Sequence, residues 1–178
     1  MQLSRKSLNA YWLWTSLAAA VMAVVMLTLD ASLRRRTGFG TADLQFVGSG
    51  YDLRRILDHW LRPSDAAFAG FLLGLDYLFM PLYGAALFFG AAAALDRFAP
   101  ARGSLRALLT RLTLFPIGAA LCDAIENVLQ LGMLQQSPSN LTASLALEVT
   151  AGKWLGVAVG VLLTLAALIG RFVKRHSA

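Results

Sequence analysis

Four long apolar stretches run along the chain, separated by shorter polar segments, and one longer polar insertion follows the first of them. The stretches cover about residues 11–29, 66–95, 108–134 and 143–172. A helix needs about 20 apolar residues to cross the hydrocarbon core of a bilayer. The pattern therefore predicts an all-α fold: an integral membrane, four-helix transmembrane bundle that occupies residues 1–178 as a single transmembrane domain.

The first stretch follows Arg5 and Lys6, which is also the placement of a signal peptide. The apolar core of a signal peptide is usually about 7–15 residues long, and this run is longer. The residues after it, from Leu29 to Arg36, offer no compelling small-residue cleavage site. We therefore expect a retained transmembrane helix.

The polar insertion, residues 30–65, is too long for a hairpin turn and contains one further helical pattern. Its apolar residues recur at helical spacing, at Leu53, Ile56, Leu57, Trp60 and Leu61. Because Arg54, Arg55 and Asp58 fall on other faces, the pattern predicts an amphipathic helix. We place this helix on the extracytoplasmic side, where it lies on the outer membrane surface or caps the bundle.

Composition supports a membrane protein and excludes several other classes. Hydrophobic residues make up 57% of the chain and charged residues only 15%, and the mean hydropathy is +0.61. A soluble domain averages about 25% charged residues, so a soluble or disordered chain is a poor interpretation. A nucleic-acid-binding module is also disfavoured, because the basic residues behind the net charge of +6 mostly flank apolar stretches. Cys122 is the single cysteine, which excludes an intrachain disulfide.

The distribution of arginine and lysine predicts the orientation. If both termini are cytoplasmic, nine basic residues and one acid, Asp96, fall on the cytoplasmic side, and six arginines and five aspartates fall on the other. An excess of basic residues marks the cytoplasmic side, although the Arg34–Arg36 triplet argues mildly for the reverse. We predict a multi-pass protein of the plasma (inner) membrane with both termini in the cytoplasm.

Ionisable residues at bilayer depth are the most informative positions, because each costs at least ~2.5 kcal/mol and normally faces a bundle interior or an aqueous cavity. Four polar residues share one face of the third helix: Asp123, Glu126, Asn127 and Gln130. The second helix carries Asp76 and Tyr83, and the fourth carries Lys153. Counting along the helices places five of these residues in one half of the membrane: Asp76, Asp123, Glu126, Asn127 and Lys153. We predict one polar pocket that opens to the extracytoplasmic side, with Tyr83 on its cytoplasmic floor.

The charge of this predicted pocket limits what it can do. Three carboxylates and one ammonium group are costly to bury without bound protons, a bound cation or access to water. Such a site suits the binding or transport of a small cationic or amphipathic ligand, with coupled proton exchange. The candidate ligand-binding or proton-exchange residues are Asp76, Tyr83, Asp123, Glu126, Asn127 and Lys153.

Other functions would use the same residues. The chain can be an enzyme that acts on a lipid or isoprenoid, with Asp123 or Glu126 as general acid or base. It can instead be an accessory subunit whose polar stripe docks onto a larger membrane complex. A purely structural role also stays open, in which polar groups join the helices and Asp76 forms an ion pair with Lys153.

We expect no cofactor and no metal site. The two histidines, His59 and His176, lie in the insertion and in the tail, which disfavours a haem or zinc centre inside the membrane. The sequence contains no Walker A pattern. Carboxylate and amide oxygens are available for a hard cation, but the ammonium group of Lys153 opposes a divalent ion.

The expected partners are the lipid bilayer and a small-molecule or lipid ligand, with no nucleic acid. Transport by so short a chain favours a homodimer. Gly152, Gly156 and Gly160 form one candidate close-packing surface for it, although packing within a chain is the more ordinary role of such residues.

Two segments carry a resemblance to a known family: Leu75–Gly84, which reads LDYLFMPLYG, and Asp123–Asn127, which reads DAIEN. Together with Thr41–Phe46 they resemble small four-helix bacterial membrane proteins of unassigned function. The resemblance covers most of the chain, from the first helix through the third. It implies a shared fold and brings no reaction.

Overall fold

The structure is a computed structural model that describes residues 4–60, 62–98, 103–135 and 138–176, and of residues 96–98 and 170–176 it describes the backbone alone. Within these ranges the chain is helical and contains no β-strand. In chain order the helices are α1 (Arg5–Thr37), α2 (Gly50–His59), α3 (Pro63–Phe98), α4 (Ser104–Leu112), α5 (Phe115–Gln135) and α6 (Asn140–His176), with a 3₁₀ helix at Thr41–Phe46 between α1 and α2. The predicted all-α class is confirmed.

Four helical segments are long and apolar enough to cross a membrane. They are Arg5–Thr37, Pro63–Leu95, Ser104–Gln135 and Asn140–Ile169. The four predicted apolar helices are therefore present, and each extends beyond its predicted apolar stretch. Polar and charged residues form the extra turns, because a helix continues wherever its backbone hydrogen bonds can be made, not only where its side chains are apolar.

The third predicted helix, over residues 108–134, is divided in the structure. α4 ends at Leu112 and α5 begins at Phe115, with Thr113 and Leu114 in a turn between them. Pro116 explains the division, because it has no amide hydrogen to continue the ladder of helical hydrogen bonds. By contrast, α3 continues through Pro81.

The described residues form two compact units. The first unit comprises Met1–Ala19, Pro81–Ala120 and Trp154–Ala178, and the second comprises Ala20–Met80 and Leu121–Lys153. Each of α1, α3, α5 and α6 contributes residues to both units. The predicted single domain over residues 1–178 stays a prediction.

In the second unit, α2 buries its apolar face in a hydrophobic core. Leu53, Ile56 and Trp60 are at most 4% exposed. They pack in one cluster with residues from the other segments of this unit, among them Leu33, Leu44, Leu72, Met133 and Ala146. Two placements were predicted for the amphipathic helix: on the outer membrane surface, or packed over the end of the bundle. The burial of its apolar face against other helices supports the second placement. Leu61, which was assigned to the same apolar face, lies outside the described residues.

A set of polar contacts anchors the segment between α1 and α2. The Asp30 carboxylate accepts hydrogen bonds from the Thr41 backbone amide at 2.5 Å and from its hydroxyl at 2.7 Å. Arg34 forms an ion pair with Asp43 at 2.8 Å. At Gly40 a Cβ atom would collide with the Asp30 carboxylate, so a side chain here would displace that carboxylate from Thr41. The 3₁₀ helix that these contacts fix was not predicted from the sequence.

In the first unit, two of the glycines of α6 are in close helix contact. A Cβ at Gly156 would lie 2.8 Å from both the Ala119 Cβ and the Phe115 carbonyl oxygen, and one at Gly160 would lie 2.8 Å from Pro116. These two glycines therefore pack within the chain, which leaves no room for a second copy at either position. Gly156 and Gly160 thus have the more ordinary of the two roles considered for them, and the homodimer stays a prediction.

Candidate functional site

Three helices of the second unit bring their polar residues together inside the protein. We call the group the buried polar cluster; its members are Asp76 from α3, Asp123, Glu126, Asn127 and Gln130 from α5, and Lys153 from α6. None of the six is more than 8% exposed. Asp76 and Lys153 each lie thirteen residues after the first residue of their helix, and Asp123 lies twelve residues before the last residue of α5. Along the helix axes these counts are distances of about 18–20 Å. The three charged residues are therefore about equally far from these helix ends.

Lys153 is the centre of charge pairing in the cluster. Its ammonium nitrogen lies 2.6 Å from Glu126 Oε2 and 3.1 Å from Asp123 Oδ1. Residues 123 and 126 are one helical turn apart, so a single side chain from α6 can reach both carboxylates. The sequence suggested an ion pair between Lys153 and Asp76; the structure instead gives Lys153 ion pairs to two acids on α5.

Asp76 accepts its side-chain hydrogen bond from an amide. The Asn127 side-chain amide donates one hydrogen bond to Asp76 Oδ2 at 2.9 Å and another to the Leu73 carbonyl at 3.1 Å. Asn127 is 1% exposed, so both of its N–H groups are satisfied within the protein. Next to Asp76, the Tyr77 hydroxyl donates to the Ala124 carbonyl of α5 at 3.2 Å. These contacts join α3 to α5 at the level of the cluster.

The Glu126 carboxylate is fully buried and has a different neighbour on each oxygen. Gln130 donates its side-chain amide to Oε1 at 2.7 Å, and Lys153 pairs with Oε2. The Thr150 hydroxyl lies next to this carboxylate and is buried, yet it makes no well-aligned hydrogen bond with any described residue. A buried hydroxyl without a well-aligned partner loses hydrogen-bond energy, which a small polar molecule at this point would restore.

The formal charges of the cluster do not balance. Three carboxylates face one ammonium group, and all four are shielded from solvent. A buried carboxylate without a charged partner costs several kcal/mol, even when it accepts hydrogen bonds. The cluster therefore requires protons or a positive guest to reach neutrality. The described residues contain no group of three histidine, cysteine or acidic side chains arranged to hold a metal ion.

The structure brings together five of the six predicted site residues. Tyr83 is buried and belongs to the first unit, so its predicted place on the floor of the site stays a prediction. Glu148, an acid on the same helix as Lys153, is exposed. Thr150 was missed, although its position three residues before Lys153 places it on the same helix face.

The polar stripe of α5 faces the protein's own helices. Asp123, Glu126, Asn127 and Gln130 are each at most 4% exposed and contact α3, α6 or one another. The exposed face of α5 is apolar, with Leu121, Ile125 and Val128 more than half exposed. The stripe is therefore covered by the protein's own helices, and the accessory-subunit alternative stays a prediction.

Comparison with family models, with curated proteins and with solved structures finds no match to the chain. The resemblance to small four-helix bacterial membrane proteins stays a prediction.

Proposed function

We propose that the chain is a multi-pass membrane protein that binds or transports a small cationic or amphipathic ligand at the buried polar cluster, with coupled proton exchange. The observation that carries this proposal is the charge imbalance: the cluster, as far as the structure describes it, holds the three carboxylates of Asp76, Asp123 and Glu126 and the one ammonium group of Lys153, and none of the four is more than 8% exposed. A protein that needed only to join its helices would do so at lower cost with neutral side chains. A retained surplus of buried acids favours a site that takes up positive charge.

Asp76 is the carboxylate on which the ligand's positive charge is expected to bind. Lys153 compensates one charge of the Asp123–Glu126 pair, whereas the Asn127 amide gives Asp76 hydrogen bonding without positive charge. A cationic group at Asp76 would gain a charged partner without displacing Lys153. In the absence of ligand, protons on the carboxylates would serve the same purpose, which couples ligand binding to proton release.

We place the protein in the plasma (inner) membrane with both termini in the cytoplasm. The sequence segments of the first unit contain nine lysines and arginines and one acid, whereas those of the second contain seven basic residues and nine acids. This asymmetry supports a cytoplasmic location for the termini. The Arg34–Arg36 triplet is only a weak argument against this orientation, because two of its three arginines have an acidic partner. Arg34 pairs with Asp43, and Arg36 lies 3.9 Å from Asp65.

Native mass spectrometry of protein extracted gently from its own membrane tests the proposal. We would compare the wild type with the Asp76→Asn/Glu126→Gln variant, and use Glu148→Gln as the control because this acid is exposed on α6. A bound small molecule should be present on the wild type and the control and absent from the double variant. Circular dichroism would establish that the double variant remains folded.

Two results would contradict the proposed function. One is the same apo mass for all three folded proteins, which would show that no ligand is retained. The other is an identical bound mass on all three, which would place the ligand away from the cluster. A product formed by the purified wild type, and lost with Glu126→Gln, would instead favour the lipid or isoprenoid enzyme.

A further inference from the structure

α4 is an amphipathic helix whose apolar face the chain leaves largely uncovered. Its leucines lie at positions 105, 108, 109 and 112, which is one face at the helical repeat of about 100° per residue. No residue of α4 is buried; Leu105 is 50% exposed and Leu108 is 53% exposed. An isolated helix of this length is marginal in water, so its apolar face needs a second surface to stabilise it.

The length of α5 indicates what that surface is. α5 alone has 21 residues, about 31 Å, which is enough to cross the hydrocarbon core of a bilayer. α4 is therefore not needed for the crossing. The turn at Thr113 and Leu114 separates the two helices, so α4 continues the chain beyond one end of a helix that can cross the bilayer without it.

The charges of α4 and its flanks are all positive. The helix contains Arg106 and Arg111, the preceding segment contains Arg102, and no acid occurs between residues 99 and 122. On the helical wheel, Arg106 and Arg111 lie on opposite sides of the leucine face. Arginines at the borders of an apolar face can extend to phosphate groups while their aliphatic stems cover hydrocarbon.

We propose that α4 is a binding surface for anionic phospholipid headgroups. Leu105 and Leu108 enter the boundary between headgroups and acyl chains, and Arg106 and Arg111 pair with lipid phosphates. Charge complementarity selects anionic over zwitterionic lipids, because no acidic side chain in this stretch offsets the arginines. This surface is independent of the buried polar cluster.

A depth measurement tests the orientation of the helix. Single cysteines at Leu108→Cys and, on another face, Ala107→Cys would be introduced into a Cys122→Ala background and labelled with an environment-sensitive fluorophore. The full chain would be reconstituted in vesicles of equal parts phosphatidylcholine and phosphatidylglycerol. Brominated acyl chains should quench the label at 108 strongly and the label at 107 weakly. Equal quenching at both positions, or none at 108, would overturn the proposed orientation.

A lipid-retention measurement tests the charge. Native mass spectrometry would count phosphatidylglycerol against phosphatidylcholine on the wild type, on Arg106→Gln/Arg111→Gln, and on Arg54→Gln/Arg55→Gln. The last variant is the matched control, because it removes two exposed arginines of α2. In the α4 variant the preference for phosphatidylglycerol should decrease by a factor of about 5 if one arginine dominates. It should decrease by a factor of about 30 if both arginines contribute. It should stay unchanged in the control.

Three results would overturn this proposal. An unchanged preference in the α4 variant would show that the arginines do not bind lipid phosphate. An equal fall in the α2 control would show a response to net charge rather than to α4. A cross-link from Leu108→Cys to a second protein chain, with no quenching by lipid, would assign the face to a protein partner.

Discussion

The Lys153 ammonium nitrogen lies 2.6 Å from the Glu126 carboxylate, between two helices that are connected by only a few residues. The same nitrogen is 3.1 Å from Asp123. Replacing Lys153 with methionine keeps most of the side-chain volume but leaves both acids without their cation. We expect Lys153→Met to lower the free energy of unfolding by roughly 3–5 kcal/mol, measured by SDS titration in mixed micelles followed by circular dichroism.

A double variant distinguishes lost charge pairing from lost packing. Lys153→Met/Glu126→Gln removes one charge of each sign, so its loss of stability should be smaller than the sum of the two single losses. Glu148→Gln, an exposed acid on the same helix, should change stability by no more than about 0.5 kcal/mol. Strict additivity of the two single variants would argue against the ion pair.

The hydrogen bond from Asn127 should stabilise the buried carboxylate of Asp76. Asn127→Leu keeps the size of the side chain and removes both hydrogen bonds, so Asp76 Oδ2 and the Leu73 carbonyl lose their donor. We expect a loss of roughly 1–3 kcal/mol for each buried acceptor left unpaired, read from the same SDS titration.

The exchange variant Asp76→Asn/Asn127→Asp provides the control. It reverses the amide–carboxylate pair and restores one hydrogen bond, although the Leu73 carbonyl stays without its donor. It should therefore recover part of the stability lost by Asn127→Leu. Wild-type stability for Asn127→Leu would show that the pair contributes little.

The charge imbalance of the cluster should be visible as a bound proton. With three carboxylates and one ammonium group, at least one carboxyl group is expected to be protonated in ligand-free protein at neutral pH. Infrared spectroscopy should detect a carboxylic-acid C=O stretch that shifts in D2O and disappears in the variant Asp76→Asn/Asp123→Asn/Glu126→Gln. The same stretch should persist in Glu148→Gln; its loss there, or its absence from the wild type, would contradict the prediction.

Gly156 should not tolerate a side chain, whereas the nearby Gly118 should tolerate one. A methyl group at Gly156 would meet the Phe115 carbonyl and the Ala119 Cβ at 2.8 Å, and a backbone atom cannot move away at low cost. We expect Gly156→Ala to destabilise the protein by about 1–3 kcal/mol. Gly118→Ala, on the opposing helix with open space around it, should be neutral or stabilising by up to about 1 kcal/mol. Thermal unfolding in detergent compares the two, and a similar response would mean that α5 and α6 do not approach this closely.

The sequence predicts well those features that depend on a regular repeat. The four apolar helices follow from the length of their apolar runs, and the polar stripe of α5 follows from spacing alone, because Asp123, Glu126, Asn127 and Gln130 must share a face. The buried face of α2 follows for the same reason. Such patterns are local, so they do not depend on knowing the neighbouring helices.

The remaining features depend on contacts between distant segments. Which acid pairs with Lys153 is set by the rotation of α6 against α5, and a single sequence does not contain that angle. The fold of the segment after α1 depends on Asp30 meeting Thr41, eleven residues away, and on the space at Gly40. The importance of Thr150 becomes visible only when Glu126 is placed beside it.

The core beneath α2 also has a consequence for how the protein is made. It joins Leu33 and Leu53 to Met133 and Ala146, so it cannot be complete until α6 has left the ribosome and entered the bilayer. Until then the apolar face of α2 has only the neighbours that α1, the 3₁₀ helix, α3 and α5 supply, and the rest of this face must lie on lipid or on the insertion machinery. A chain in which α6 fails to insert would leave that part of the face exposed, which would mark it for quality-control proteases.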